Sequence, residues 1–263
     1  MNVIYVVGIG PGGESQMTLQ ARQVLEECDV VVGYTVYVDL LKRILPDKEY
    51  LATPMRQEEK RCRMVFEEAR KGRKVAMACS GDAGVYGMAG LMMELEREYP
   101  DCQVEAIPGV TAALAGGALL GAPLVHDFAV VSLSDLLTPW EKIEKRLRCA
   151  ATADFSICIY NPSSRKRADY LRRACDILLE EMEGERVCGL ACQVGRQGER
   201  CETLTLKELR ERHVDMFTTV FIGNSQTKRM GEKMVTPRGY QILGQEGQRE
   251  DGTILPAAAG MPL

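Results

Sequence analysis

Three short turns built from Gly, Pro, Ser, Asp and Thr carry the residue types best suited to holding a small molecule. They are Gly8-Ile9-Gly10-Pro11-Gly12, Ser80-Gly81-Asp82-Ala83-Gly84 and Pro108-Gly109-Val110-Thr111-Ala112. The first two follow the apolar runs Val3–Val7 and Val75–Cys79, which read as buried strands, and the third follows Val104–Ile107. Each turn therefore lies at the carboxyl end of a strand, where open α/β sheets take their ligands. Backbone without side chains can press against a small molecule and aim N–H groups at it, which suits a nucleoside or a carboxylate better than a protein partner. Three such turns on one sheet would surround a single pocket, and their coincidence is more specific than any one of them.

Gly8 to Gly13 satisfies G-x-G-x-x-G, the spacing of a dinucleotide-binding turn. Pro11 removes one N–H from the loop, the next helix begins late, near Met17–Thr18, and Gly33-Tyr34-Thr35 stands where a ribose-binding carboxylate belongs. Nicotinamide or flavin binding is disfavoured on those grounds, and a plain tight turn is the bland reading. Asp82 has a bland reading too, as the cap of a helix starting near Gly84.

Other residues invite proton transfer or charge recognition. His126-Asp127 lies between the two halves of the chain, and an unperturbed imidazole titrates near neutrality, although packing or hydrogen bonding is the commoner fate of such a histidine. Arg165-Lys166-Arg167 reads as a basic cluster in the first turn of a helix, where the macrodipole disfavours cations, so an anionic substrate is one reading and a solvated face the other. Cys188 and Cys192, with Cys201 beyond, match neither a zinc-ribbon nor a common iron–sulfur spacing, and no metal site is expected.

The elements that must position these residues alternate in the first half. Strands Val3–Val7, Val30–Val32, Val75–Cys79 and Val104–Ile107 are separated by helices, including Tyr34–Leu45, Gln57–Lys71 and Val85–Glu98, and imply a mostly parallel sheet. Beyond Gly121-Ala122-Pro123 the strand candidates are Phe128–Leu133, Phe155–Tyr160, Val187–Cys192, Cys201–Leu204 and Met216–Ile222. Helices near Pro139–Leu147, Ser164–Glu181 and Leu206–Arg212 separate some of these, and the turn Gly195–Gly198 suggests a hairpin, so the second sheet is mixed. The expected organisation is an α/β protein with an N-terminal domain over residues 1–122, a C-terminal domain over 123–243 and a flexible tail at 244–263.

Bulk composition narrows the partners. The chain has 263 residues, 33 basic against 37 acidic, and a net charge of −4, so no global basic field marks a nucleic-acid binder. The weakly polar stretch Val110–Val125 is crowded with Gly and Ala, and Pro123 interrupts it, so no membrane span is expected. Ten cysteines scattered through helices and strands, behind a start that reads as a strand rather than a leader, fit a reduced, cytoplasmic protein.

Read in order, these pieces resemble the S-adenosyl-L-methionine-dependent tetrapyrrole methylases over about Asn2 to Leu243. Within that family, His126 to Trp140, Tyr160-Asn161-Pro162-x-Ser164 and Thr236-Pro237-Arg238-Gly239-Tyr240 are similar to the precorrin-3B carbon-17 methyltransferases of cobalamin synthesis. The resemblance implies two α/β domains, a homodimer, and an interdomain cleft where cofactor meets a precorrin or cobalt-precorrin. It implies Pro11, Ser80, Gly81, Asp82, Val85, Thr111 and Ala112 as the cofactor wall, with Asn161 and Val194 approaching from the second domain. Ala83 departs from the family's Gly-Asp-Pro, which frees a backbone N–H and relaxes that turn.

The resemblance further implies methyl transfer to carbon 17 with ring contraction to a precorrin-4-type product, and release of S-adenosyl-L-homocysteine. Contraction gains from proton removal at an oxygen, for which His126, Asp127 and Asp135 are the candidates. The substrate's many carboxylates give Arg165 and Lys166 a purpose. Diphthamide-type protein methylases and ribosomal-RNA methylases share similar turns and form the alternative, against which the Leu133-Ser134-Asp135 and Asn161-Pro162 segments weigh.

Overall fold

In the computed structural model, which describes residues 1–164 and 167–240, the first sheet has five parallel strands. These are β1 (Asn2–Gly8), β2 (Val30–Tyr34), β3 (Glu49–Thr53), β4 (Val75–Cys79) and β5 (Cys102–Ile107), in the order β3-β2-β4-β1-β5. The apolar runs of the sequence exist because both faces are covered. Val75, Met77 and Cys79 pack beneath α3 (Glu58–Arg70) and α4 (Ala89–Glu96), while Ala76 and Ala78 turn to the side of α1 (Leu19–Glu27) and α2 (Thr35–Ile44). The Thr18 hydroxyl accepts from the Ala21 N–H and so caps α1.

The second sheet, in the order β10-β9-β11-β8-β7, is mixed: β7 (Phe128–Ser132) and β8 (Ser156–Tyr160) run parallel, whereas β9 (Val187–Cys192), β10 (Arg200–Thr205) and β11 (Thr218–Ile222) pair antiparallel. One face carries α6 (Trp140–Thr152), α7 (Tyr170–Leu179) and α8 (Leu206–Arg210), burying Ile143, Leu147, Leu171 and Leu178 on Ile157, Ile159, Leu190 and Val220. The other face is covered by α5 (Ala112–Leu120), which follows β5 in the chain yet packs Ala113, Ala115 and Leu120 onto Cys158, Ala191 and Phe221. Its run of small residues has a reason: a Cβ at Gly116 would stand 2.9 Å from the Cβ of Ala191, and one at Gly189 only 2.6 Å from Leu120 Cδ1.

A small third sheet pins the segment between the halves. The hairpin of β12 (Lys228–Met230) and β13 (Lys233–Val235) lays β13 parallel to β6 (Gly121–Ala122). Buried Thr236 donates to the Pro123 carbonyl at 2.8 Å, and Ser156 Oγ donates to the same oxygen at 3.1 Å.

The expected α/β layout with a parallel and a mixed sheet holds, and the departures are local. The helix expected from Val85 begins only at Ala89, because Tyr86 adopts φ 54° and holds the chain in bends. The edge strand β3 and the strands β6, β12 and β13 are not among those the residue pattern predicts. The helix expected from Ser164 starts at Tyr170, so Arg167 precedes it and the argument from first-turn charge does not apply. Arg165, Lys166 and the expected tail at 244–263 lie outside the described residues. All ten cysteines are free thiols, and no helix among the described residues is long and apolar enough to cross a membrane.

Candidate active site

Register brings the three small-residue turns together. Gly8 on β1 sits beside Cys79 on β4, and Val7 sits beside Ile107 on β5, so all three strands release their loops at one level. The loops are then stitched backbone to backbone: the Gly10 N–H donates to Gly81 O at 3.0 Å, and the Gly81 N–H returns to Gly10 O at 2.8 Å. Both glycines have positive φ, 74° and 71°. At the centre, a Cβ on Gly109 would lie 2.2 Å from Gly81 O and 2.6 Å from the Gly8 carbonyl, so three chains meet at a point only hydrogen atoms can fill.

Asp82 locks this junction. Its Oδ1 accepts from the N–H groups of Gly84 and Val85 at 2.8 and 3.1 Å, and its Oδ2 accepts from Gly109 N–H at 2.9 Å. The carboxylate thus ties the loop after β4 to the loop after β5. It caps no helix, since α4 starts well beyond it, and it does not line the cavity beside it.

That cavity, of about 200 Å³, opens between the two sheets. Of the residues expected around a cofactor, Pro11, Ser80, Gly81, Val85, Thr111 and Ala112 line it from the first sheet, and Asn161 and Val194 from the second. The second sheet contributes the carboxyl ends of β8 and β9 and the start of antiparallel β11, through Gln193 and Met216–Thr219. Tyr37, Tyr86, Tyr160 and Arg196 complete the wall.

Hydrogen bonds across the cavity join the halves. Tyr160 Oη lies 2.5 Å from Thr111 Oγ1 and accepts from Ala113 N–H at 2.7 Å, in the first turn of α5. Burial pushes that phenol's pKa up, so it stays protonated at neutral pH. Tyr86 Oη donates to Val130 O at 3.0 Å, from the first half to β7. Among the described residues, five non-glycine residues have positive φ, and three of them, Tyr86, Asn161 and Gln193, line this cavity. Such strain persists where surrounding structure over-determines it, a pattern typical of ligand sites.

The three proton-transfer candidates separate. His126 and Asp127 precede β7 at its amino end, where the Asp127 carbonyl accepts from Ser156 N–H. Asn161 and the cavity lie past the carboxyl ends of β7 and β8, about 16 Å away at ~3.3 Å per strand residue. The structure therefore does not bring His126 or Asp127 to the cavity, and His126 Nε2 is buried without a hydrogen-bond partner among the described residues. Asp135 follows β7 at the cavity end, near Ser132, whose Oγ accepts from Asn161 Nδ2 at 2.9 Å. Tyr170 Oη donates to Asp135 at 2.5 Å and Arg167 stands 3.6 Å from its other oxygen.

The wall is made of backbone, hydroxyls, amides, aromatic rings, a few aliphatic side chains and one guanidinium, with no carboxylate or thiol among the described residues. It suits a small molecule with a nucleoside-like polar edge, held for a reaction that needs placement rather than a covalent nucleophile.

Comparison with known proteins agrees. Residues 3–210 match the Tetrapyrrole (Corrin/Porphyrin) Methylases. A probable cobalt-factor III C(17)-methyltransferase of Salmonella typhimurium is 45% identical over 241 residues, covering 91% of this chain and all of the relative. A precorrin-3B C(17)-methyltransferase of a Sinorhizobium species is 38% identical over 251 residues, 92% of this chain and 98% of that protein. Among solved structures, the methyltransferase CobJ superposes with a TM-score of 0.83 at 38% identity, over 90% of this chain and all of that one. A uroporphyrin-III C-methyl transferase from Thermus thermophilus, complexed with S-adenyl homocysteine, gives 0.67 at 25% identity, over 84% and 96%.

Proposed function

This chain belongs to the tetrapyrrole (corrin/porphyrin) methylases, and from that premise we propose that it transfers a methyl group to carbon 17 of a cobalt-loaded precorrin-3-type macrocycle in cobalamin biosynthesis. The observation that carries the reading is the meeting, in one cavity, of three stitched loops from the first sheet with the strand ends of the second. The more similar of the two C(17)-methyltransferases described above is named for cobalt-factor III, which supports the cobalt-loaded substrate over the metal-free one. Both relatives are named for carbon 17, so methylation of a protein or of RNA is not favoured.

The residues present fit S-adenosyl-L-methionine. Gly81, in positive φ, presents bare backbone to the cavity, where a Cβ would project to within 3.6 Å of Thr111 Cα, and Pro11, Ser80, Val85, Thr111 and Ala112 surround it. When bound, that cofactor supplies an electrophilic methyl group on a sulfonium. Asn161 and Val194, at strand ends of the opposite sheet, set the distance between donor and acceptor. Holding both reactants in line contributes up to ~7–11 kcal/mol, so no nucleophile of the protein is needed.

Ring contraction requires removal of a proton from an oxygen of the macrocycle. Asp135 is the candidate base, as the one of the three proton-transfer candidates at the cavity end of β7, oriented by Tyr170 and Arg167. Arg165 and Lys166 hold macrocycle carboxylates, and the working unit is a homodimer.

Incubation with S-adenosyl-L-methionine and either cobalt-loaded or metal-free substrate, followed by optical and mass spectra, tests the reading. A mass gain of one methyl group with a shifted chromophore is the expected result on the cobalt-loaded compound. Transfer only to the metal-free compound reverses the choice of substrate, and transfer to neither removes the proposal. Asp135→Asn should uncouple the steps, giving methylation without contraction.

A further inference from the structure

Arg196 occupies the turn between β9 and β10, on the second sheet, and reaches across to the first. Its Nε donates to Pro11 O at 2.9 Å and its Nη2 to Ser80 Oγ at 3.1 Å, both on cavity-lining residues. The stem crosses over Gly12, where a Cβ would come within 2.6 Å of Arg196 Cγ, so the absence of a side chain there is what admits the arginine. The guanidinium carbon stands 5.2 Å from the centre of the Phe217 ring.

The oddity lies in its partners. Arg22, Arg63, Arg73, Arg148, Arg186 and Arg210 each pair with a carboxylate, most of them on the surface where such a pair is worth little. Arg196 is half-buried, enough for burial to lower its pKa, yet it meets two neutral oxygens and no carboxylate among the described residues. A desolvated cation without an anion is costly and is kept where a ligand brings the missing charge. Only Nε and Nη2 are engaged, which leaves N–H groups on the outer edge of the guanidinium for a second, forked interaction.

We infer that Arg196 is the carboxylate anchor of this cavity, held in orientation by Pro11 and Ser80 and completed by an anionic group of the ligand. The inference rests on the proposed reading of the site. Two sources present that chemistry: the amino-acid carboxylate of the cofactor and the acetate or propionate arms of the macrocycle.

Calorimetric titration of the full chain separates them, using S-adenosyl-L-homocysteine and 5′-methylthioadenosine, which shares the adenosine and thioether but has no carboxylate. Arg196→Gln should weaken S-adenosyl-L-homocysteine about tenfold or more and leave methylthioadenosine unchanged if the cofactor supplies the anion. If the macrocycle supplies it, both nucleoside affinities stay at wild type and the substrate KM rises about tenfold or more. Arg196→Lys, which keeps charge but not the fork, should fall between in whichever arm responds, and it decides the matter should the glutamine variant fail to fold. Wild-type values throughout for Arg196→Gln, or equal losses for both nucleosides, overturn the inference and leave Arg196 as a tie between the halves. Failure of the wild-type chain to bind S-adenosyl-L-homocysteine would instead sink the reading of the site itself.

Discussion

Replacing Asp82 by asparagine perturbs one atom and should be felt in both stability and ligand affinity. The carboxylate accepts from Gly84 and Val85 on one oxygen and from Gly109 on the other. An amide has one acceptor: whichever way the substituted side chain turns, an NH₂ group faces a backbone N–H. If the oxygen stays on Gly84 and Val85, the Gly109 bond is lost, and a hydrogen bond to a charged group is worth ~1.5–3 kcal/mol. The surviving bonds also become neutral ones of about half the strength, so a total near ~2–4 kcal/mol is reasonable. For a chain of this size each kcal/mol moves Tm by roughly 2–4 °C, giving a drop of about 4–16 °C. Because Gly109 immediately precedes the segment Val110-Thr111-Ala112, part of the loss should emerge as weaker S-adenosyl-L-homocysteine binding, on the order of tenfold per 1.4 kcal/mol transmitted. Calorimetric titration beside a thermal melt measures both. An Asp82→Asn protein that melts and binds like wild type would refute the claim that this carboxylate fastens the two loops.

Tyr160→Phe removes the hydroxyl shared by Thr111 and Ala113 and should cost ~1–3 kcal/mol, read as a lower denaturant midpoint; an unchanged midpoint counts against the bridge. Gly116→Ala drives a methyl group toward Ala191 and Phe221 and should destabilise by about 1–3 kcal/mol, measured by chemical denaturation. His126→Asn and Asp127→Asn should keep kcat within about twofold of wild type, since both residues lie at the far end of β7; a hundredfold loss of the kind a general base shows would place them in the chemistry after all. Burial alone would raise the pKa of Asp154, but hydrogen bonds from Ser225 and the Arg186 guanidinium prevail and hold it below the usual carboxylate value. A depressed folded-state pKa stabilises above the unfolded value, near ~4, and that contribution is lost as pH falls through the folded value. The acid side of the stability profile should therefore flatten in Asp154→Asn, and a profile identical to wild type would show that the carboxylate contributes nothing.

Strands buried on both faces were legible because apolar residues dominate them, with only small hydroxyls such as Ser156, Thr218 and Thr219 admitted among them. β3 escaped notice because Glu49–Thr53 lies at the sheet edge, largely open to solvent, and β12 and β13 because their lysines and arginine carry no apolar alternation. Most of the cavity wall on the first sheet follows from three glycine-rich turns, whose chemistry is local. Tyr37, Tyr160, Arg196 and Phe217 do not, since a tyrosine at a strand end or an arginine in a hairpin acquires meaning only from what the other sheet sets opposite it. A usable hint was present in Val194-Gly195-Arg196-Gln197-Gly198, where two glycines flank a lone cation. Closeness to the junction along the chain is the signal behind the proton-transfer candidates, and a five-residue strand is enough to place two of them at the end of β7 away from the cavity.

Because α5 is welded to the second sheet through Gly116 and Gly189 while its amino end supplies Thr111 and Ala112 to the cavity wall, the pocket is not divided where the polypeptide is. Rocking one layer against the other would carry Thr111 away from Ser80 and pull the binding surface apart from inside. Mutations on the buried side of that helix can consequently retune affinity without touching any ligand, so selection for grip and selection for interlayer packing fall on the same few small residues.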